Sequence, residues 1–253
     1  MAISSVCIIG TGNMAENLIR AFKTAGISVE GLYGRNQEKR NSLCLIYQLN
    51  PIENFKDIPK ESLVVLAVSD QAIQEVSANL NKNLKVVHTS GSVAIDAIKV
   101  EQRGVFYPLQ TMTSNRKIDF FQVPVLIEAQ HQDFLLELKM LGIRMTDKVR
   151  EVSSEQRKKI HLAAVILNNF MTELVKLSGD YMQKIGEDNS LLTPLLKETV
   201  GKIEEIGADN ALTGPAKRGD INTITSHLEM LEGDLKEVYQ LMSNIILKEN
   251  GKL

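Results

Sequence analysis

Close to the start of the chain an apolar run, Val6-Cys7-Ile8-Ile9, empties into Gly10-Thr11-Gly12-Asn13-Met14-Ala15, and a helical pattern continues through Asn17-Leu18-Ile19-Arg20-Ala21-Phe22. This G-x-G-x-x-A turn between strand and helix constrains the fold more than any other feature. Gly10 allows a tight turn, Gly12 lets backbone amides approach a pyrophosphate, and Ala15 lets the helix pack close to the strand. Phosphates then rest on the amino end of the helix, where unpaired N–H groups and the dipole favour negative charge. The same glycines also serve a ligand-free turn. Here the strand before and the helix after both agree with nucleotide binding.

Strand and helix patterns alternate through the first half. Val29 to Tyr33 reads as a strand and Gln37 to Tyr47 as a helix. Leu63-Val64-Val65-Leu66-Ala67-Val68 has the unbroken apolar character of a central parallel strand covered on both faces. Ser69-Asp70 precedes a helix from Gln71 to about Leu80. Further strands are expected at Lys85 to Thr89, Gly104 to Tyr107, Val123 to Glu128 and Ile143 to Thr146, with helical stretches at Ala94 to Val100 and His131 to Leu141. After Val152 no strand pattern returns; long helical patterns occupy Ser154 to Leu177, Leu191 to Ile206, Asn222 to Glu232 and Leu235 to Lys248. The expected organisation is α/β: a doubly wound parallel sheet over 1–150, then an all-α domain over 151–253, with a ligand cleft between them.

Composition narrows the partners. A formal net charge of −2, with Lys and Arg spread along the chain, gives no footprint for nucleic acid. No apolar stretch is read as reaching the roughly 20 residues that cross a bilayer, and no signal-type start is seen, so no membrane is expected. Cys7 and Cys44 lie in a strand and a helix without C-x-x-C pairing, which suits reduced thiols and a cytoplasmic location. His88, His131, His161 and His227 lack metal-ligand spacing, so no metal is expected.

The end of the second strand bears on which dinucleotide fits. An Asp or Glu there would accept hydrogen bonds from the ribose hydroxyls of NAD; this chain has Gly34-Arg35-Asn36. Without the carboxylate a 2′-phosphate is not repelled, and Arg35 can grip it, so NADP is favoured. The alternative for Arg35 is a solvated loop residue.

Ile8-Ile9-Gly10-Thr11-Gly12-Asn13-Met14-Ala15 together with Gly34-Arg35-Asn36 resembles the pyrroline-5-carboxylate reductase and β-hydroxyacid dehydrogenase branch of the 6-phosphogluconate dehydrogenase superfamily. His88-Thr89-Ser90-Gly91-Ser92, Phe106 to Thr111, His161 to Phe170 and Leu212 to Asp220 narrow the resemblance. It points to a Rossmann-like family with an uncharacterised helical C-terminal domain, whose members are labelled NADP oxidoreductases, some by analogy with deazaflavin-dependent enzymes. The resemblance spans essentially the whole chain. It implies a Rossmann-type sheet, an all-α second domain that forms a homodimer, and hydride transfer between NADP(H) and a small carbonyl or imine compound. The Thr-Ser-Gly-Ser and Tyr-Pro-Leu-Gln pieces are also similar to prephenate dehydrogenases. A dinucleotide-binding sensor without turnover is the other reading.

Site residues follow from the loops after the strands, where a doubly wound sheet binds its ligand. The cofactor is assigned to Gly10, Thr11, Gly12, Asn13, Met14, Ala15, Gly34, Arg35, Asn36, Val68 and Ser69, and substrate to Ser90, Gly91, Ser92, Gln110 and Arg218. Ser69, Asp70 and Ser90 are equally suited to capping helices, and Arg218 to a helix corner with Asp220. In β-hydroxyacid dehydrogenases the first long helix of the second domain carries a catalytic Lys; the matching position here is Val165. His161, one turn earlier, is the candidate proton donor, and Asn169 the candidate substrate-orienting residue, the three falling on one helical stripe. A His that bonds across the interdomain contact is the plainer alternative for His161.

Overall fold

Strand β1 (Ser5–Ile9), from Val6 onward, and strand β4 (Leu63–Leu66) are apolar because the sheet is covered on both faces. Val6, Ile8, Leu63 and Val65 point into one core layer with Leu18, Phe22, Phe134 and Leu138. Cys7, Ile9, Val64 and Leu66 point into the other, with Ile73, Leu80 and Ile98. This computed structural model describes residues 3–114 and 116–252.

The remaining strands are β2 (Ser28–Tyr33), β3 (Asn50–Pro51), β5 (Val86–His88), β6 (Arg103–Pro108), β7 (Val125–Ala129) and β8 (Val149–Glu151). The sheet order is β3-β2-β1-β4-β5-β6-β7-β8. Every neighbouring pair is parallel except β6 and β7, which run antiparallel with Tyr107 opposite Leu126. The expectation of a wholly parallel sheet is corrected at that pair. Among the described residues between β6 and β7 there is a 3₁₀ turn, Phe120–Gln122, and no α-helix, and the chain returns from the end at which it left. Helices α1 (Asn13–Thr24), α2 (Gln37–Tyr47), α3 (Ile73–Ala78) and α4 (Gln132–Ile143) complete the layers.

Two local expectations give way. Ile143 to Thr146 is not a strand: α4 continues through Ile143, and pairing with β7 starts only at Val149. Gly142 packs its bare Cα against Val149, so the turn between helix and strand has to fall between them. Ala94 to Val100 contains only a 3₁₀ turn, Ile95–Ala97.

Helix α5 (Ser154–Val165) begins with a capping box, in which the Ser153 hydroxyl accepts from Gln156 N–H and the Gln156 side chain accepts from Ser153 N–H. A π-helical turn, Ile166–Phe170, follows and leads into α6 (Met171–Lys184). The chain divides into two compact units, one ending at Asn169 and the other beginning at Phe170. The strands stop where the sequence changes texture, but α5 belongs with the sheet because Ser154 and Arg157 are bonded to β7. The second unit holds α6, α7 (Thr193–Ile206), α8 (Ala208–Ala211), α9 (Pro215–Arg218), α10 (Ile221–Glu229) and α11 (Gly233–Glu249), with no strand among its described residues.

The helical run Ser154–Lys184 is long and apolar enough to cross a membrane by length and composition, and its apolar window has no buried residue. This corrects the expectation that no such stretch exists. Charged residues at both ends, Arg157 to Lys159 and Glu173 to Asp180, disguise an 18-residue window that carries at most two charges.

Candidate functional site

The glycine turn has the geometry a dinucleotide needs. Gly10 donates its N–H to the Tyr33 carbonyl at 2.8 Å and has φ +129°; a Cβ there would lie 2.1 Å from the Ala67 carbonyl oxygen. Only glycine fits. Gly12 caps α1 without any side-chain cap, and a Cβ there would meet no protein atom within 4 Å. Its bareness therefore leaves open space in front of the free N–H groups of α1, as phosphate binding requires. Ala15 is fully buried, and Gly34 is pressed against Thr11, whose Cγ2 would be 2.3 Å from an added Cβ.

Gly10, Thr11, Gly12 and Gly34 line a cavity of about 370 Å³, together with Arg35, Asn36, Val68 and Ser69, whereas Asn13, Met14 and Ala15 are not in its lining. Asn36 is engaged: its side chain accepts from Lys39 N–H at 2.9 Å and caps α2. Arg35 is exposed, and among the described residues it has no ion-pair partner. An adenosine 2′-phosphate would meet the Arg35 guanidinium, which has no ion-pair partner among the described residues, in a cavity whose lining also includes Glu75, and the cradle fits NADP. A second cavity, about 590 Å³, opens between the end of α1 and Arg144-Met145 and shares no lining residue with the first. Of its cations, Arg20 pairs with Glu16, and Lys23 and Arg144 bond main-chain carbonyls, a structural use for all three.

A second polar group gathers at the ends of β5 and β6. Arg157 of α5 has no exposed surface; it pairs with Glu128 of β7 and bonds the Val93 carbonyl. That fixes α5 against the loop after β5. His161, one turn further along α5, then stands over Gly91, whose Cα faces the imidazole so closely that a Cβ would come within 2.6 Å of the ring. On its other side His161 Nδ1 is 3.0 Å from the Tyr107 hydroxyl, with the rings edge-to-face at 79°. Burial raises the Tyr107 pKa, with Arg157 opposing and Asp70 reinforcing the rise.

The loop itself is held by short-range bonds. Ser90 Oγ accepts from the N–H groups of Ser92 and Val93, both at 3.1 Å, and the Ser92 hydroxyl donates to Asp70. Ser90 therefore shapes a turn, and the Asp70 carboxylate holds Ser92. Ser69 stands at the start of a 3₁₀ turn without making a cap bond. Beneath them His88 is fully buried, and its Nδ1 accepts from Ser90 N–H at 3.1 Å. Burial first, and then the nearby Arg157 charge, push its pKa down to about 4, so it is neutral near pH 7.

Comparisons with known proteins match the chain to two family models. Residues 5–96 match the family described as NADP oxidoreductase, coenzyme F420-dependent. Residues 123–246 match a domain of unknown function, DUF2520. Among solved structures, the "putative NADP oxidoreductase" BF3122 of Bacteroides fragilis is 30% identical, with a TM-score of 0.87 over 97% of this chain and 98% of that one. The chain belongs to this NADP oxidoreductase family. Protein TM1727 of Thermotoga maritima, 22% identical, shares the fold with a TM-score of 0.78 over 95% of this chain and 99% of its own. The 1-pyrroline-5-carboxylate reductase of Streptococcus pyogenes, 14% identical, does so at 0.67 over 98% of each chain. No curated protein matches.

The other expected site residues of this oxidoreductase are dispersed. Gln110 is exposed after β6, its side-chain oxygen accepting from Thr111 N–H at 2.8 Å. Asn13 accepts from the Ser114 hydroxyl at 2.7 Å, which ties the glycine turn to the segment after β6. Asn169 is exposed within the π turn, where its oxygen accepts from the Asn168 amide at 3.0 Å; no hydrogen bond joins it to His161. A straight α-helix drifts about 80° over eight residues, and the wider π turn takes back part of that drift. Arg218 is exposed at the end of α9 in the helical unit, while Asp220 caps α10 by accepting from Thr223 N–H at 3.1 Å. His227 is likewise structural, bonded to Tyr239 at 2.7 Å between α10 and α11.

One member of the site, Tyr107, was not read from the sequence as such. Tyr107 sits in the quoted Phe106-Tyr107-Pro108 piece, where a polar aromatic at the last turn-ward position of a buried strand is the available signal. Gly91 is needed because of a helix 70 residues away, which no local pattern reports.

Proposed function

We propose that this NADP oxidoreductase interconverts a small carbonyl or imine compound and its reduced form, with His161 moving the proton. The observation that carries the reading is the state of the His161 ring: Nδ1 is held by Tyr107, while Nε2 has no hydrogen-bond partner among the described residues. A histidine held by one nitrogen and free at the other is the arrangement of a general acid or base. NADPH, when bound, supplies the hydride. Its phosphates are assigned to the free N–H groups of α1, and its 2′-phosphate to Arg35. Ser90, Gly91 and Ser92 offer small polar surface for a substrate oxygen or nitrogen, and Asn169, Gln110 and Arg218 are proposed to orient its remainder.

A second copy of the chain is the proposed partner. Among the described residues of the helical unit only Ala216, Ile224 and Leu247 are buried apolar residues, while Leu174 on α6, Leu195 and Ile203 on α7, and Leu241 and Ile245 on α11 are exposed. An apolar surface of that extent on α6, α7 and α11 is what an obligate interface looks like when one subunit is viewed alone. A homodimer is therefore expected in sedimentation, and a monomer at micromolar concentration would remove this part of the proposal.

The function is tested by following NADPH absorbance with a panel of aldehydes, keto acids, cyclic imines and a deazaflavin, the last because the matching family description names coenzyme F420. His161→Gln is expected to abolish turnover of whichever compound reacts while leaving NADPH affinity unchanged. NADPH binding without turnover of any compound would favour a dinucleotide sensor.

A further inference from the structure

A free Nε2 is useful only if the ring is kept from turning. Three groups decide that here, and all belong to the sheet unit. Arg157 fixes the helix, Gly91 closes one side of the imidazole, and the Tyr107 hydroxyl lies 3.0 Å from Nδ1. Tyr107 cannot follow the ring if it moves, because β6 holds its main chain opposite Leu126 and its side chain is packed with Ile95, Val105 and Val152. Asp70, the nearest acid acting on Tyr107, is occupied by Ser92.

The chemistry of the partner matters as much as its position. A carboxylate at Nδ1 would favour the charged ring, and a main-chain carbonyl would accept only from Nδ1–H. A phenol does both: its O–H donates to a bare Nδ1, and its oxygen accepts from Nδ1–H. We infer that Tyr107 is a positioning residue for the proton transfer, holding the His161 ring with Nε2 free in both protonation states. This rests on His161 being the proton donor. In the reducing direction Nε2–H breaks and its proton passes to the substrate heteroatom. The ring is left neutral with its hydrogen on Nδ1, donating to the Tyr107 oxygen; a proton from water then restores Nε2–H. In the oxidising direction the bare Nε2 accepts the proton, with Nδ1 held by the same oxygen.

The test compares wild type, Tyr107→Phe, Gly91→Ala and His161→Gln by nitrogen-15 NMR of the histidine rings, NADPH calorimetry and turnover across pH. In the wild type a single hydrogen-bonded Nδ1 signal is expected for His161. In Tyr107→Phe the signals are expected to average between the two neutral tautomers. NADPH affinity should stay within about twofold, and kcat should fall at least about tenfold with little change in KM and a displaced pH profile. Gly91→Ala, which pushes the ring without touching the phenol, is expected to give the same ring signature, so the inference survives a poorly folding Tyr107 variant. Unchanged His161 signals in both variants would overturn it. So would altered signals with a wild-type pH profile and kcat, if His161→Gln is inactive. If His161→Gln keeps full turnover, the proton-donor reading fails separately, and the inference falls with it.

Discussion

Arg157 and Glu128 form an ion pair in which the arginine side chain is fully buried and the carboxylate is only 16% exposed, and this pair decides where His161 stands. The same carboxylate accepts from Ser154 N–H at 2.9 Å and from its hydroxyl at 2.8 Å. One acidic residue on β7, the strand next to the sheet edge, thus anchors the first turn of α5. Neutralising it strands a buried guanidinium. Glu128→Gln is expected to cost about 3 kcal/mol in denaturant unfolding, the scale of breaking one partner out of a buried pair. A cost below about 1 kcal/mol would show that the helix is held by its apolar contacts instead.

The two glycines of the nucleotide turn should behave differently. Gly10→Ala drives a methyl into the Ala67 carbonyl at a backbone angle closed to alanine, so little folded protein is expected. Gly12→Ala meets no protein atom. It should unfold within about 0.5 kcal/mol of wild type and yet lose NADPH affinity in calorimetry, because the methyl occupies the space in front of α1.

Arg35 is exposed and lacks an ion-pair partner, so its exchange should leave stability alone. Arg35→Glu is expected to weaken NADPH binding about ten- to hundredfold while changing NADH binding little, as for the loss of one charge-assisted bond. Equal losses for both dinucleotides would place the 2′-phosphate elsewhere.

His88 gives the fold a pH dependence. Its folded pKa is depressed from 6.5 to about 4, so between those values the unfolded chain binds the proton that the folded chain refuses. The stabilisation is complete above pH 6.5 and is lost as the pH falls towards 4, a change of about 3 kcal/mol. Denaturant midpoints measured across that window should show this slope in wild type and a flatter one in His88→Gln.

Local signals made most of the sheet legible. The turn at Gly10, the run from Leu63 and the Gln37–Tyr47 helix are set by residues adjacent in sequence, and each falls where its pattern places it. Ile143 to Thr146 misleads because alternating apolar residues at a helix end look like a short strand, and only the packing of Gly142 on Val149 separates them. The β3 pairing is too short to leave a pattern, and the direction of β7 depends on a connection without a helix. The site divides the same way. The phosphate turn is local and readable, whereas the contacts of His161 join residues 54 and 70 positions apart, and the residue that fixes its helix is on another strand.

The change of direction between β6 and β7 is also a seam. The NADP oxidoreductase match ends at residue 96, before β6, and the DUF2520 match begins at 123, just ahead of β7. The glycine turn and Gly91 lie in the first segment and His161, Glu128 and Arg157 in the second, with Tyr107 on the strand that joins them. The proposed dinucleotide cradle thus lies within one segment, whereas the group around His161 draws Gly91 from the first segment and its helix from the second. A protein cut after Pro108 would retain the glycine cradle and the phenol but lose the imidazole the phenol serves, along with the ion pair that carries it.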